Sequence, residues 1–200
     1  MPGRKISRFK GQYCIACHGR LIKSPIMNKV IFLSRLLQER DKFELLLNRV
    51  GFSRRMTTKG VSGNLSIKDL LADVLAREQF IADRLNEILH GDAYSPSASH
   101  RSLENFESDN GYPDYESTLF EKENSRYSMA SKYRNIGVDD IVEQEIATYG
   151  NILAAFEKLT HNQCLDHDLY HRTAEHTYKS YRRTSIEINH WLQSIAPESY

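Results

Sequence analysis

Four stretches of this chain carry apolar residues at three- and four-residue intervals, and none alternates them at every second position. That pattern commits the backbone to amphipathic helices rather than strands. The first stretch runs from about Asn28 to Val50, with a stripe of Leu33, Leu36, Leu37, Phe43, Leu46, Leu47 and Val50. Gly51 is placed to close it as a left-handed cap. A loop rich in Gly, Ser and Thr comes next. Ser66, with Asp69 three residues on, then opens a second helix as a capping box does. Ile67, Leu70, Leu71, Val74, Leu75, Ile81, Leu85, Ile88 and Leu89 carry that helix to about Leu89. The third spans Val138 to Leu159 with Val142, Ile146, Tyr149, Leu153 and Phe156 in register. The fourth spans Thr173 to Ile195 with Tyr181, Ile188, Trp191, Leu192 and Ile195 facing in, and Pro197 stops it.

The connections are uneven in length. Residues 90–114 form a long link punctuated by Gly91, Pro96, Gly111 and Pro113, and links of that length are often functional. Tyr115 to Tyr133 holds a short accessory helix that Gly137 separates from the third long one. Residues 160–172 form a second link bearing His161, His167 and His171, whose six- and four-residue spacings look metal-like, although a polar loop of this kind is usually only solvated. Four amphipathic helices, two of them reached by long crossings, predict an all-α four-helix bundle.

At 200 residues the chain is long enough for one domain with a sizeable core. No segment approaches the roughly 18 uninterrupted apolar residues of a membrane helix, and no apolar signal core succeeds the N-terminus. Residues 1–26 differ in character from the rest of the chain: they are basic, carry three glycines and lack periodicity, so the bundle is expected over 27–200. Setting aside the six basic residues of 1–25 leaves 21 basic against 26 acidic side chains, a body of about −5. A mildly acidic body argues against nucleic acid as the main partner. The three cysteines, Cys14, Cys17 and Cys164, predict free thiols in a reducing cytosol. Cys14-Ile15-Ala16-Cys17-His18 has the spacing of a c-type haem attachment, but that chemistry needs export, so no haem is expected.

Two segments carry a resemblance. Leu65-Ser66-Ile67-Lys68-Asp69-Leu70-Leu71-Ala72-Asp73 resembles the W-S-x-K-D-x-x-x-H motif that opens the second helix of the DinB-like/YfiT-like bundles. Thr177 to Thr184, with Ile188 and Trp191-Leu192 beyond it, is similar to the T-x-x-H-Y-x-x-H pattern of their fourth helix. In that family the three histidines hold a divalent ion. Here Asp73, Ser180 and Thr184 stand in their places. One carboxylate and two hydroxyls make a poor site for zinc or nickel, which favour imidazole. His176, one turn before Ser180, would bring a rearranged site with Asp73 to only two ligands. No metal and no cofactor are therefore expected. Within the superfamily, metal loss resembles the ClbS/DfsB-like branch, as does the segment Tyr112-Pro113-Asp114-Tyr115 with Phe120-Glu121-Lys122-Glu123-Asn124. The resemblance implies a homodimer.

Elementary physics marks the same region. Arg77 and Glu78 interrupt the apolar run of the second helix, and one of them must fall near its buried seam. Asp73 and Arg77, four apart, can pair. One reading is a partly solvated structural ion pair. The sharper one makes Asp73, Arg77 and Glu78 the floor of a polar pocket, with Asp73 or Glu78 as general base. Tyr149, His176, Ser180, Tyr181 and Thr184 complete the expected lining, although Tyr149 and Tyr181 also suit tethered core positions. The resulting expectation is a cytoplasmic, metal-free protein that binds or transforms a small, electrophilic molecule by hydrolase-like chemistry, in a cavity between the second and fourth helices. The competing expectations are a non-catalytic dimerising bundle and a metal-dependent thiol transferase.

Overall fold

The structure, a computed structural model, describes residues 28–51, 55–91 and 100–195. Among these the fold is all-α, with one antiparallel bridge between Ser62 and Leu65. The helices are α1 (Lys29–Val50), α2 (Ile67–His90), α3 (His100–Asn110), α4 (Lys122–Lys132), α5 (Val138–Lys158), α6 (His161–Asp166), α7 (Leu169–His176) and α8 (Tyr178–Ile195). The residues expected before α1, Cys14, Cys17 and Met27 included, lie outside those described.

Local chemistry fixes the ends. Asn28 accepts the amide of Ile31 at 2.9 Å and starts α1. The Ser66 hydroxyl accepts from the Asp69 amide, while Asp69 accepts from the Ser66 amide at 2.7 Å, completing the capping box of α2. Gly91 closes α2 in the left-handed region (φ 81°, ψ 14°), its amide reaching Glu87 and Ile88 carbonyls. Gly51 does not form the left-handed cap expected of it: its φ is positive, but its ψ of 165° turns the chain away extended.

Helix α2 is the central element. It packs along α5 and α4 and touches α7 and α8, while α1 packs against α8. The core runs through Phe32, Leu36 and Phe43 of α1, Leu70, Leu75, Ile81 and Leu85 of α2, Ile152 and Phe156 of α5, and Ile188 and Trp191 of α8. Phe32 stacks on Phe156 with ring centroids 5.0 Å apart, and Phe43 stacks on Tyr181 at 5.1 Å.

Several sequence expectations change. Leu37 and Ile146, assigned to buried stripes, are 46% and 56% exposed, and Ile195 also faces solvent. In α1 the stripe runs through Phe32, Leu36, Arg40 and Phe43 instead, which turns Leu37 outward. The 90–114 link contains α3, and the 160–172 link folds into α6 and the start of α7. Thr160 caps α6 by accepting from the Gln163 amide, a capping box that Thr160 and Gln163 spell. The fourth long helix is not continuous. Thr177 (φ −117°, ψ −103°) separates α7 from α8, and its hydroxyl bonds the Thr173 carbonyl, a contact that bends helices. No helix of the described residues is long and apolar enough to cross a membrane.

Candidate functional site

The capping box sets the rotation of α2. With Ile67, Leu70 and Leu71 committed to the core, Asp73 and Arg77 fall on one inward side, and Glu78 on the face toward α1 and α8. All eight residues singled out from the sequence are buried: Asp73, Arg77 and Glu78 on α2, Tyr149 on α5, His176 at the end of α7, and Ser180, Tyr181 and Thr184 on α8. They do not form one pocket. Six of them, all but Ser180 and Thr184, divide between two polar clusters.

The first gathers around Asp73. Arg77 Nε donates to Asp73 Oδ2 at 2.9 Å, and Arg126 Nε of α4 lies 3.7 Å from the same oxygen. Arg126 also donates to both oxygens of Glu187 on α8, at 2.9 and 3.1 Å. The Asp73–Arg77 pair is buried, not the partly solvated pair that its spacing alone suggests. The Arg77 guanidinium lies 4.4 Å above the Tyr115 ring. Tyr115 in turn lies against His176, with centroids 5.8 Å apart. His176 points at Glu116, 3.5 Å from its carboxylate, rather than at Asp73. Arg172 clamps Glu116 with two bonds of 2.8 Å. Burial alone pushes Glu116 up, but the hydrogen bonds from His176 and Arg172 outweigh it and hold the acid at about 2. Burial lowers the His176 pKa, against the raising influence of Glu116. Four buried atoms of this region have no hydrogen-bond partner: Asp73 Oδ1, Tyr115 Oη, Thr173 Oγ1 and His176 Nδ1.

The second cluster centres on Arg40 of α1. Its guanidinium donates to both oxygens of Glu145 on α5 and, through Nε, to Glu44 at 2.6 Å. It also lies 3.6 Å from Glu78 Oε1 and covers the rings of Tyr149 at 4.8 Å and Tyr181 at 5.7 Å. Tyr181 donates its hydroxyl to Glu78 Oε1, joining α8 to α2. Burial pushes Glu78 up to about 7 despite the pull of Arg40 and Tyr181, and its Oε2 has no partner. Burial likewise pushes Tyr149 up to about 12, and Tyr181 well above the ordinary phenol range.

Sequence reasoning missed Arg40, Glu145, Tyr115, Glu116, Arg126 and Arg172. Two of these left a readable signal. Arg40 interrupts the α1 stripe between Leu36 and Phe43, and Glu145 interrupts the α5 stripe between Ile141 and Thr148, just as Arg77 and Glu78 interrupt α2. The others sit on connections or on α4 and α7, where no period marks them.

An open groove of about 700 Å³ lies between α1 and α8, and Phe43 and Tyr181 contribute to it. A smaller one of about 190 Å³ lies between α1 and α5. Asp73 and Ser180, expected to line a common cavity, line neither. Among the described residues, no group of three or more His, Cys, Asp or Glu side chains is placed to hold a metal ion. His161, one member of the metal-like histidine spacing, instead meets the Tyr170 hydroxyl at 3.2 Å.

No family model and no curated protein matches the chain. Among solved structures it is similar to an uncharacterised protein from Escherichia coli UTI89, with a TM-score of 0.58 over 83% of this chain and 93% of that one. The two are 11% identical, so the likeness speaks to the fold alone.

Proposed function

We propose that this chain is a metal-free bundle of the DinB-like superfamily, akin to its ClbS/DfsB-like branch, that binds and hydrolyses a small electrophilic molecule. One observation carries the reading. The interior around α2 holds buried polar atoms that the protein leaves without partners, Asp73 Oδ1, Glu78 Oε2, Tyr115 Oη and His176 Nδ1 among them. Proteins seldom leave such atoms bare, because each costs about 1–3 kcal/mol when unpaired. They are acceptors and donors suited to a polar guest and a water molecule.

Glu78 is the base of this scheme, and Asp73, fixed by Arg77 in the other cluster, holds the far polar end of a guest that reaches both. A carboxylate whose pKa lies near 7 exchanges protons readily at neutral pH. Water gives its proton to Glu78 as its oxygen bonds to the electrophilic carbon. The bond to the leaving atom breaks, and that atom takes the proton back. Tyr181 holds the carboxylate in place.

The test is incubation of the protein with a panel of small epoxides and activated esters, read by mass spectrometry for the water-added product. Wild type is expected to produce it, and Glu78→Gln and Asp73→Ala to lose it while keeping helical circular dichroism. No product from any member, or equal rates in Glu78→Gln, overturns the reading.

A second reading, a homodimer without catalysis, draws on the α1–α8 groove, where Leu45 is 68% and Ile186 70% exposed. Its test is the mass in solution: Leu45→Glu with Ile186→Glu converts a dimer to monomer, and a monomeric wild type ends that reading.

A further inference from the structure

The hollow of about 190 Å³ between α1 and α5 is lined by none of the site residues anticipated from the sequence. Leu47, Met56, Leu71 and Ile141 make its walls apolar. Apart from Asn48, its polar lining is the cluster of Arg40, Glu44 and Glu145. The volume is below the roughly 300 Å³ at which sites for drug-sized ligands begin. An apolar cavity of roughly 150 Å³ accepts benzene, so this one suits a single ring bearing a short arm.

Charge decides what the arm carries. Arg40 gives two hydrogen bonds to Glu145, one to Glu44 at 2.6 Å, and faces Glu78 at 3.6 Å. One guanidinium thus answers three carboxylates, and no second cation pairs with Glu44 or Glu145 among the described residues. An anionic guest would add to the excess, and a neutral one would leave it standing. An ammonium brings the missing charge and up to three donors.

We infer that this hollow binds a small primary amine as its ammonium ion, the apolar ring between α1, α2 and α5 and the charged nitrogen against Glu44 and Glu145. The inference shares Glu78 with the hydrolytic reading but rests on different contacts, the hollow itself and the carboxylates of Glu44 and Glu145. Binding here is coupled to Glu78. That carboxylate meets Arg40 from α1 and Tyr181 from α8, with Glu44 and the α5 residues Glu145 and Tyr149 gathered on the same guanidinium. An ammonium that takes over Glu145 leaves Arg40 free to turn to Glu78, which then gives up its proton. Near neutral pH, amine binding therefore releases protons.

The experiment is calorimetric titration of the full chain at pH 7 with benzylamine, in two buffers of different ionisation heat, beside benzoate and benzyl alcohol. Benzylammonium is expected to saturate one site with proton release, benzyl alcohol to bind about tenfold or more weakly, and benzoate not to bind. Glu44→Gln, at a half-exposed side chain that folding tolerates, weakens benzylammonium severalfold, and Val142→Phe, which fills the hollow, abolishes it. Glu78→Gln keeps the binding and loses the proton release. Absence of saturable benzylammonium binding overturns the inference. So does benzoate or benzyl alcohol binding equally well, or affinity unchanged in both Glu44→Gln and Val142→Phe. A protein that hydrolyses no electrophile yet binds benzylammonium separates failure of the earlier reading from failure of this one.

Discussion

Tyr181 of α8 donates its hydroxyl to Oε1 of Glu78 on α2, and the Arg40 guanidinium of α1 lies 3.6 Å from the same oxygen. Three helices thus converge on one wholly buried acid. The tyrosine and arginine favour the charged carboxylate, but removal from water weighs more, and the acid sits at about 7. Arg40 is itself tied to Glu145 and Glu44, so the guanidinium does not answer Glu78 alone.

This raised acid gives stability a particular pH dependence. Between about 4.5, the ordinary glutamate value, and about 7 the folded protein holds a proton that the unfolded chain has lost. Glu78's contribution is therefore fully present below about 4.5 and falls as pH rises to 7. Glu78→Gln removes the dependence. Its stability relative to wild type is expected to grow between those pH values by an amount on the order of 1–3 kcal/mol. Urea midpoints measured at several pH values check this, and a constant difference would contradict it.

Arg40 is the one guanidinium that faces both Glu145 and Glu78 among the described residues, so its loss is costly. Arg40→Met leaves Glu145 and Glu78 buried without a counter-charge, which destabilises by roughly 3–5 kcal/mol. The double substitution Arg40→Met with Glu145→Met removes both charges and recovers most of that loss, since a buried pair replaced by apolar groups is often neutral. Chemical denaturation of the two variants decides it: the pair counts as coupled only when the double variant is the more stable.

The period of apolar residues made the four long helices legible, because burial of one face is the dominant force and leaves a regular trace. Ser66 and Asp69 announced the start of α2 through their own hydrogen bonds. The same period carried the site part of the way: Arg77 and Glu78 stood out as breaks in a stripe, and both proved buried. What α2 pairs with was illegible, since Tyr115 and Arg126 reach it from a connection and a short helix whose positions depend on packing rather than period. α3 and α6 were hidden for a related reason. Short polar helices carry little apolar moment, so glycine and proline nearby read as loop.

Glu116 tethers the 112–120 segment to α7, and its low pKa makes that tether acid-sensitive. The acid sits at about 2 in the fold against an ordinary 4.5, so its contribution is complete above 4.5 and is lost as pH falls toward 2. Glu116→Gln is expected to cost about 1–3 kcal/mol at neutral pH and to flatten stability between those limits. It also removes the group that raises His176, so the histidine pKa falls further below its ordinary value. Acid unfolding curves and the ring-proton titration of His176 report the two effects separately, and an unmoved histidine would refute the contact.

The capping box of α2 sets the rotation of Asp73, Arg77 and Glu78, because it fixes where the helix begins its turns. Ser66→Ala removes the hydroxyl that accepts from the Asp69 amide at 3.3 Å and donates to Asp69 Oδ2 at 2.6 Å. The Ser66 amide still reaches Asp69, which Lys59 also holds, so the first turn loosens rather than melts. The expected cost is about 1 kcal/mol, typical of an N-cap serine. Ser66→Asp keeps an acceptor at the cap but sets a second carboxylate beside Asp69, so it recovers only part of that loss. Hydrogen exchange at the Asp69 and Leu70 amides locates the effect: faster exchange there in Ser66→Ala, with the Glu78 and Leu85 amides unchanged, is the expected pattern. Uniform acceleration along α2 would show that the cap governs the whole helix instead.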